Sequence, residues 1–223
     1  MTVGDFNVTA PAFTQRRLRP ALLALVASLA GILSWTGPAR AQTAADPVSA
    51  YTSTAQQDCR SERPRRKPAP EDGGARECPG THGFVIVVSE NDLRETVSVG
   101  RNRALADKEP AAKKWFGPFS SAGTTVEWRA QRAKSRPYAI IQRWSLADNN
   151  DVDKDGRPRD KQMLVVTRLP PDGVCHIAYI DVAANANANE LARKAADTIR
   201  KFDCAKDKVQ IIGTAGRATE LAQ

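Results

Sequence analysis

The chain has 223 residues and a formal net charge of +8, from 33 Lys and Arg against 25 Asp and Glu. That length suffices for one domain with a substantial core, and the positive excess is mild and dispersed, which argues against nucleic acid as a partner. Four cysteines with no C-x-x-C spacing, and only His82 and His176 as imidazoles, argue against a zinc site.

The N-terminus carries Arg16, Arg17 and Arg19, an apolar run from Ala21 to Trp35, then Ala39 and Ala41 around Arg40. A basic start, a short apolar centre and an A-x-A end predict a secretory signal peptide over residues 1–41. The apolar run is too short to span a bilayer comfortably, so no stable membrane insertion is expected once the leader is cleaved. The expected location is periplasmic or secreted. All four cysteines lie beyond the leader, so two disulfides are expected in that oxidising compartment.

Residues 42–77 are poor in large apolar side chains and peak in "SERPRRKPAPEDGGARE". Such composition predicts a mobile Pro/Arg-rich arm, tied down at Cys78. Arg63–Lys67, "RPRRK", is a charge run that Asp58, Glu62, Glu71 and Asp72 nearly neutralise, and it reads as a solvated loop.

A single α+β domain is expected over residues 78–213. "GFVIVVSE" suits a buried strand, and "RETVSVG" after "ENDL" completes a hairpin. "RNRALADKEPAAKKWFG" reads as short helical pieces broken at Pro110. "TTVEWRA", "PYAIIQRWS", "QMLVVTRL" and "VCHIAYIDV" are four further strands. In "NANANELARKAADTIRKF", Leu191, Ala195, Ile199 and Phe202 fall at helical spacing behind a cap at Asn187 or Asn189. That helix is expected to lie on the sheet; a membrane-surface role is the sharper and less favoured alternative. "KVQIIG" adds an edge strand, and residues 214–223 read as a tail. The order predicts an α+β fold: a twisted antiparallel sheet of about five to six strands with a C-terminal helix on one face, stapled by disulfides.

Element lengths bear on cysteine pairing. A strand from Cys175 to Val182 rises about 23 Å, and a helix from Asn187 to Phe202 runs back about 24 Å. An antiparallel return brings Cys204 beside Cys175 and leaves Cys59 to Cys78.

The runs "CPGTHGFVIVVSENDLRETVSVGR", "WFGPFSSAGTTVEWR", "PYAIIQRW" and "LVVTRLPPDGVCHIAYIDVAANANANELARKAADTIRKFDC" together resemble a family of small, uncharacterised exported bacterial proteins, over about Cys78 to Cys204. The resemblance implies export and brings no activity.

Candidate chemistry is sparse. There is no G-x-S-x-G, the cysteines are expected to be oxidised, and His176, Glu127 and Asp181 have no surrounding motif, so no catalytic residue is assigned. Arg129, Arg143 and Arg168 sit on predicted strands, where a shared exposed face would attract a carboxylate or phosphate. Trp115, Trp128, Trp144, Phe116, Phe119, Tyr138 and Tyr179 offer either a sugar or peptide platform or core packing.

"DVDKDGRPRD" places Asp151, Asp153 and Asp155 at alternate positions before Gly156, with Asp160 beyond, as in some calcium loops. Gln162 stands where an EF-hand needs Glu, and Lys154, Arg157, Arg159 and Lys161 weaken the field. A solvated hairpin is the favoured reading, and no cofactor is expected beyond weak calcium, with a dissociation constant of about 10⁻⁴ to 10⁻³ M. The function these features suggest is a non-enzymatic envelope protein that binds an unidentified protein or polymer through an open sheet face. The alternative is a hydrolase acting on envelope material.

Overall fold

The computed structural model describes residues 46–61, 74–198 and 201–223. The signal-peptide segment and the "RPRRK" run lie outside them. Among the described residues the chain is mostly β, which corrects the expected five-to-six-stranded α+β fold: ten strands form one mixed sheet, accompanied by three short helices.

The strands are β1 (Val48–Ser53), β2 (Arg60–Ser61), β3 (Ala75–Pro79), β4 (Val85–Asn91), β5 (Arg94–Gly100), β6 (Ser120–Ala130), β7 (Ala139–Val152), β8 (Pro158–Arg168), β9 (Cys175–Asp181) and β10 (Gln210–Ile211). The helices are α1 (Arg103–Ala106), α2 (Ala188–Thr198) and α3 (Arg217–Leu221). Strands run in the order β10-β9-β8-β7-β6-β5-β4-β3-β2, with β1 paired to β6 off this path. Two junctions are parallel, β10 with β9 and a single bridge from Arg94 in β5 to Ser120 in β6.

Within the stretch expected to form a mobile arm, the described residues are paired in strands. β1 pairs antiparallel with the second half of β6, and β2 and β3 extend the other end of the sheet. These strands carry few large apolar side chains, with Tyr51 of β1 exposed, and are held by backbone pairing, buried polar contacts and the Cys59–Cys78 bridge. Trp128 donates its indole N–H to Thr52 at 2.8 Å, and buried Glu95 accepts from Arg76 at 3.0 Å and from the Ala122 amide at 2.7 Å. Glu95 thereby closes the junction where β5 and β6 share only one bridge.

Ile86, Val88, Val97 and Val99 from β4 and β5 pack in one core with Val126, Trp128, Trp144, Met163, Val165 and Tyr179 from β6–β9. The sheet therefore bends over on itself around Phe84 and Phe116. On the outer face of β7–β9, Ile141, Leu164, Val166, Ile177 and Ile180 pack against Ala188, Ala192, Ala195 and Ala196 of α2. Strands covered on both faces read as unbroken apolar runs, and the alanines let the helix approach closely.

Residues 214–223 are not a free tail. Ala218 and Ala222 of α3 enter the core, and Arg217 grips buried Asp148 with two hydrogen bonds at 2.7 and 2.8 Å. That guanidinium lowers the Asp148 carboxyl to about 2. Cys59 is bonded to Cys78 and Cys175 to Cys204, with no cysteine left free. Two such bridges are what a chain folding in an oxidising compartment carries. Among the described residues, no helix is long and apolar enough to cross a membrane.

Candidate binding surface

The three arginines do share a face. Arg129 and Arg168 both lie opposite Ala139, and Arg143 is four residues further along β7. That face is the one α2 covers, so it is not open. Arg129 is 7% exposed and meets Asp197 of α2 at 3.1 and 2.6 Å and Ser49 at 2.6 Å. Arg168 donates to the Phe202 carbonyl and, at 3.2 Å, to Asp172. Arg143 alone reaches a cleft, where it donates to Gln162 at 3.1 Å. The sequence placed these arginines on strands but had no signal for which face the helix would take.

The residues a hydrolase would need are not brought together. Glu127 points to the α2 side and is held by Arg193 at 2.7 and 3.2 Å. Asp181 faces the other side, opposite Met163, and accepts the Ala184 and Ala218 amides, both at 2.9 Å. His176 lies in the core, its Nδ1 3.0 Å from the Tyr179 hydroxyl and its ring among Phe116, Trp144 and Tyr179. A bulge at Val166/Thr167 shifts the register, so His176 and Tyr179, three residues apart, both point inward. Burial, and to a smaller extent Lys114, pushes the imidazole down to about 3, so it stays neutral.

The aspartates of the β7–β8 hairpin do not converge. Asp151 pairs with Lys161 and, at 3.8 Å, with Arg159. Asp153 accepts the Asp155 and Arg157 amides at 2.8 and 2.9 Å, and Asp155 lies 3.9 Å from Arg157. Asp160 is exposed on β8 opposite Ala147. Gly156, at φ +77°, supplies the left-handed residue of the turn. Among the described residues, no group of three or more His, Cys, Asp or Glu is placed to hold a metal.

The aromatic groups divide sharply. Trp128, Trp144, Phe116 and Tyr179 are core, whereas Trp115 is 56% and Phe119 45% exposed. The reason is local: Phe116 plugs the core, which turns its neighbour Trp115 outward. The Ala111 amide, bonded to the Val174 carbonyl at 3.0 Å, fixes the turn before it. Arg94 holds the platform, its guanidinium 5.4 Å from the Trp115 ring and 5.1 Å from the Phe119 ring. That guanidinium is itself fixed by the Gly117 carbonyl at 2.9 Å and the Asp92 carbonyl at 3.0 Å.

The preceding hairpin turn adds a third exposed apolar group. Asn91 pairs with Arg94, leaving the two-residue turn Asp92-Leu93, with φ 50° and 58°. Asn or Gly normally fills these positions, and a branched residue there carries backbone strain of about 1–2 kcal/mol. Leu93 is nonetheless 59% exposed. Between the hairpin and Trp115 lies a groove of about 300 Å³ lined by Ser89, Glu90, Asn91, Thr96 and Arg94. No family model, curated protein or solved structure matches this chain.

Proposed function

We propose that this chain is an exported, non-enzymatic binding module of the periplasm or extracellular space that engages a glycan of the cell envelope through the Trp115–Arg94–Phe119 surface. The basic-apolar-small pattern over residues 1–41 and the two disulfides support export. Membership of the exported family that the sequence resembles is part of the same proposal.

The observation that carries the reading is Trp115, largely exposed yet held against a fixed guanidinium. An aromatic face at the surface stacks on the C–H face of a sugar ring, while carboxylate, amide and hydroxyl side chains exchange hydrogen bonds with sugar hydroxyls. Glu90, Asn91, Ser89 and Thr96 supply those groups beside it. A platform already rigid before binding loses little entropy on complex formation.

Titration with soluble peptidoglycan and polysaccharide fragments, followed by calorimetry and tryptophan emission, tests it. In protein lacking residues 1–41, which carry Trp35, the other two tryptophans, Trp128 and Trp144, are buried, so a ligand-induced blue shift reports Trp115. Trp115→Ala should abolish the shift and weaken binding at least tenfold, and Trp115→Phe should retain part of it. Binding unaltered by Trp115→Ala, or cleavage of the glycan by the purified protein, would overturn the proposal.

A further inference from the structure

On another part of the surface, two cations converge on one ring. The Arg101 guanidinium lies 4.6 Å and the Arg136 guanidinium 5.0 Å from the centroid of Phe84, whose own ring is buried and stacked on Trp128. The two charges are thus within about 10 Å of each other, a distance over which salt screens them incompletely. Both side chains belong to exposed residues, and among the described residues neither lies within ion-pair distance of a carboxylate. The 131–136 stretch that carries Arg136 also contributes Arg132 and Lys134 and contains no acidic residue. Asp58 and Glu77, together with Arg60, line a cavity that Gly83 and Phe84 also border.

The arrangement is built rather than incidental. Arg101 donates to the His82 carbonyl at 2.6 Å, and His82 and Gly83 both take positive φ, 55° and 72°, to turn that carbonyl toward it. A Cβ on Gly83 would come within 3.0 Å of the Arg101 guanidinium, so the glycine leaves the space the side chain uses. Each ring contact is a weak attraction that fixes the orientation of a cation without neutralising it. Two oriented guanidinium forks that, among the described residues, have no carboxylate within ion-pair distance form a receptor for an oxyanion.

We propose that Arg101 and Arg136, aligned on Phe84, form a subsite for a phosphate group, carried either by a soluble phosphorylated polymer or by an anionic phospholipid headgroup. The site is separate from the Trp115 surface and does not depend on glycan binding there.

The test uses the purified chain with both disulfides intact. Inorganic phosphate and glycerol phosphate are titrated while the arginine side-chain N–H resonances are followed by NMR. Co-sedimentation is measured in parallel with phosphatidylglycerol vesicles and with phosphatidylcholine vesicles. The subsite predicts saturable shifts at Arg101 and Arg136, and at least a tenfold loss of affinity in Arg101→Gln/Arg136→Gln. The lysine pair Arg101→Lys/Arg136→Lys should fall between, since it keeps charge and loses the fork. Arg132→Gln/Lys134→Gln, which removes equal charge from the same stretch, should stay within about twofold of the parent. Binding of both soluble phosphates identifies a polymer source, and binding confined to phosphatidylglycerol vesicles identifies a lipid source. Absence of binding in every arm, or equal loss in the two glutamine pairs, would overturn the proposal.

Discussion

Acidification should destabilise this protein in a window set by His176. Burial holds the folded imidazole at about 3, against 6.5 for the unfolded chain, so the folded state binds fewer protons than the unfolded one between those values. A histidine whose folded value is depressed contributes its full share of stability above the unfolded value and loses it as pH falls. The slope is about 1.4 kcal/mol per pH unit once the unfolded side chain is protonated, so lowering pH from about 7.5 to 4.5 should cost about 3 kcal/mol. That is a large part of a typical domain stability of about 5–15 kcal/mol. With a urea dependence of about 2 kcal/mol per molar, the midpoint should drop by about 1.5 M. Staying above pH 4.5 separates the effect from Asp148, which Arg217 lowers to about 2 and which loses its contribution only in stronger acid. Urea titrations of the parent and of His176→Phe/Tyr179→Phe across this range measure it. The double variant replaces both members of the 3.0 Å contact, leaves no hydroxyl without a partner, and should flatten the slope. An equal midpoint drop in both proteins would refute His176 as the cause.

Three further outcomes follow from the same contacts. Asp197→Ala removes the 2.6 Å partner of Arg129, 7% exposed, leaves it the Glu127 carboxylate at 3.9 Å, and should destabilise the fold by about 2 kcal/mol in chemical denaturation; a change below about 0.5 kcal/mol would show that water reaches the guanidinium. Leu93→Gly relieves the left-handed turn and should raise stability by up to about 1 kcal/mol while weakening glycan binding, a combination that thermal melts and calorimetry read separately. Calcium added to chelated protein should give no saturation below about 10⁻⁴ M, because the Asp151 and Asp153 carboxylates already hold Lys161 and two backbone amides; micromolar binding lost in Asp153→Ala would contradict this.

Local pattern determined much of the secondary structure. The apolar runs of β4, β7, β8 and β9 and the alternation in β5 are readable as strands, since hydrophobic period and β-branched content act within a few residues. The Cys175 to Cys204 pairing followed from the rise of a strand against that of a helix, which is geometry independent of neighbours. Only the tertiary structure decided the rest. β1 and β3 are short strands with few apolar residues that hold through pairing with β6 and β4, partners that no local pattern names. The bulge in β9 breaks the two-residue period, so His176 and Tyr179 turn inward together against their spacing. The arginine face was legible as a row and illegible as covered, because α2 could pack on either side until the bend of the sheet filled the other with core. Trp115 is exposed for the same reason at smaller scale: composition identifies an aromatic pair, and only packing decides that Phe116 takes the inside.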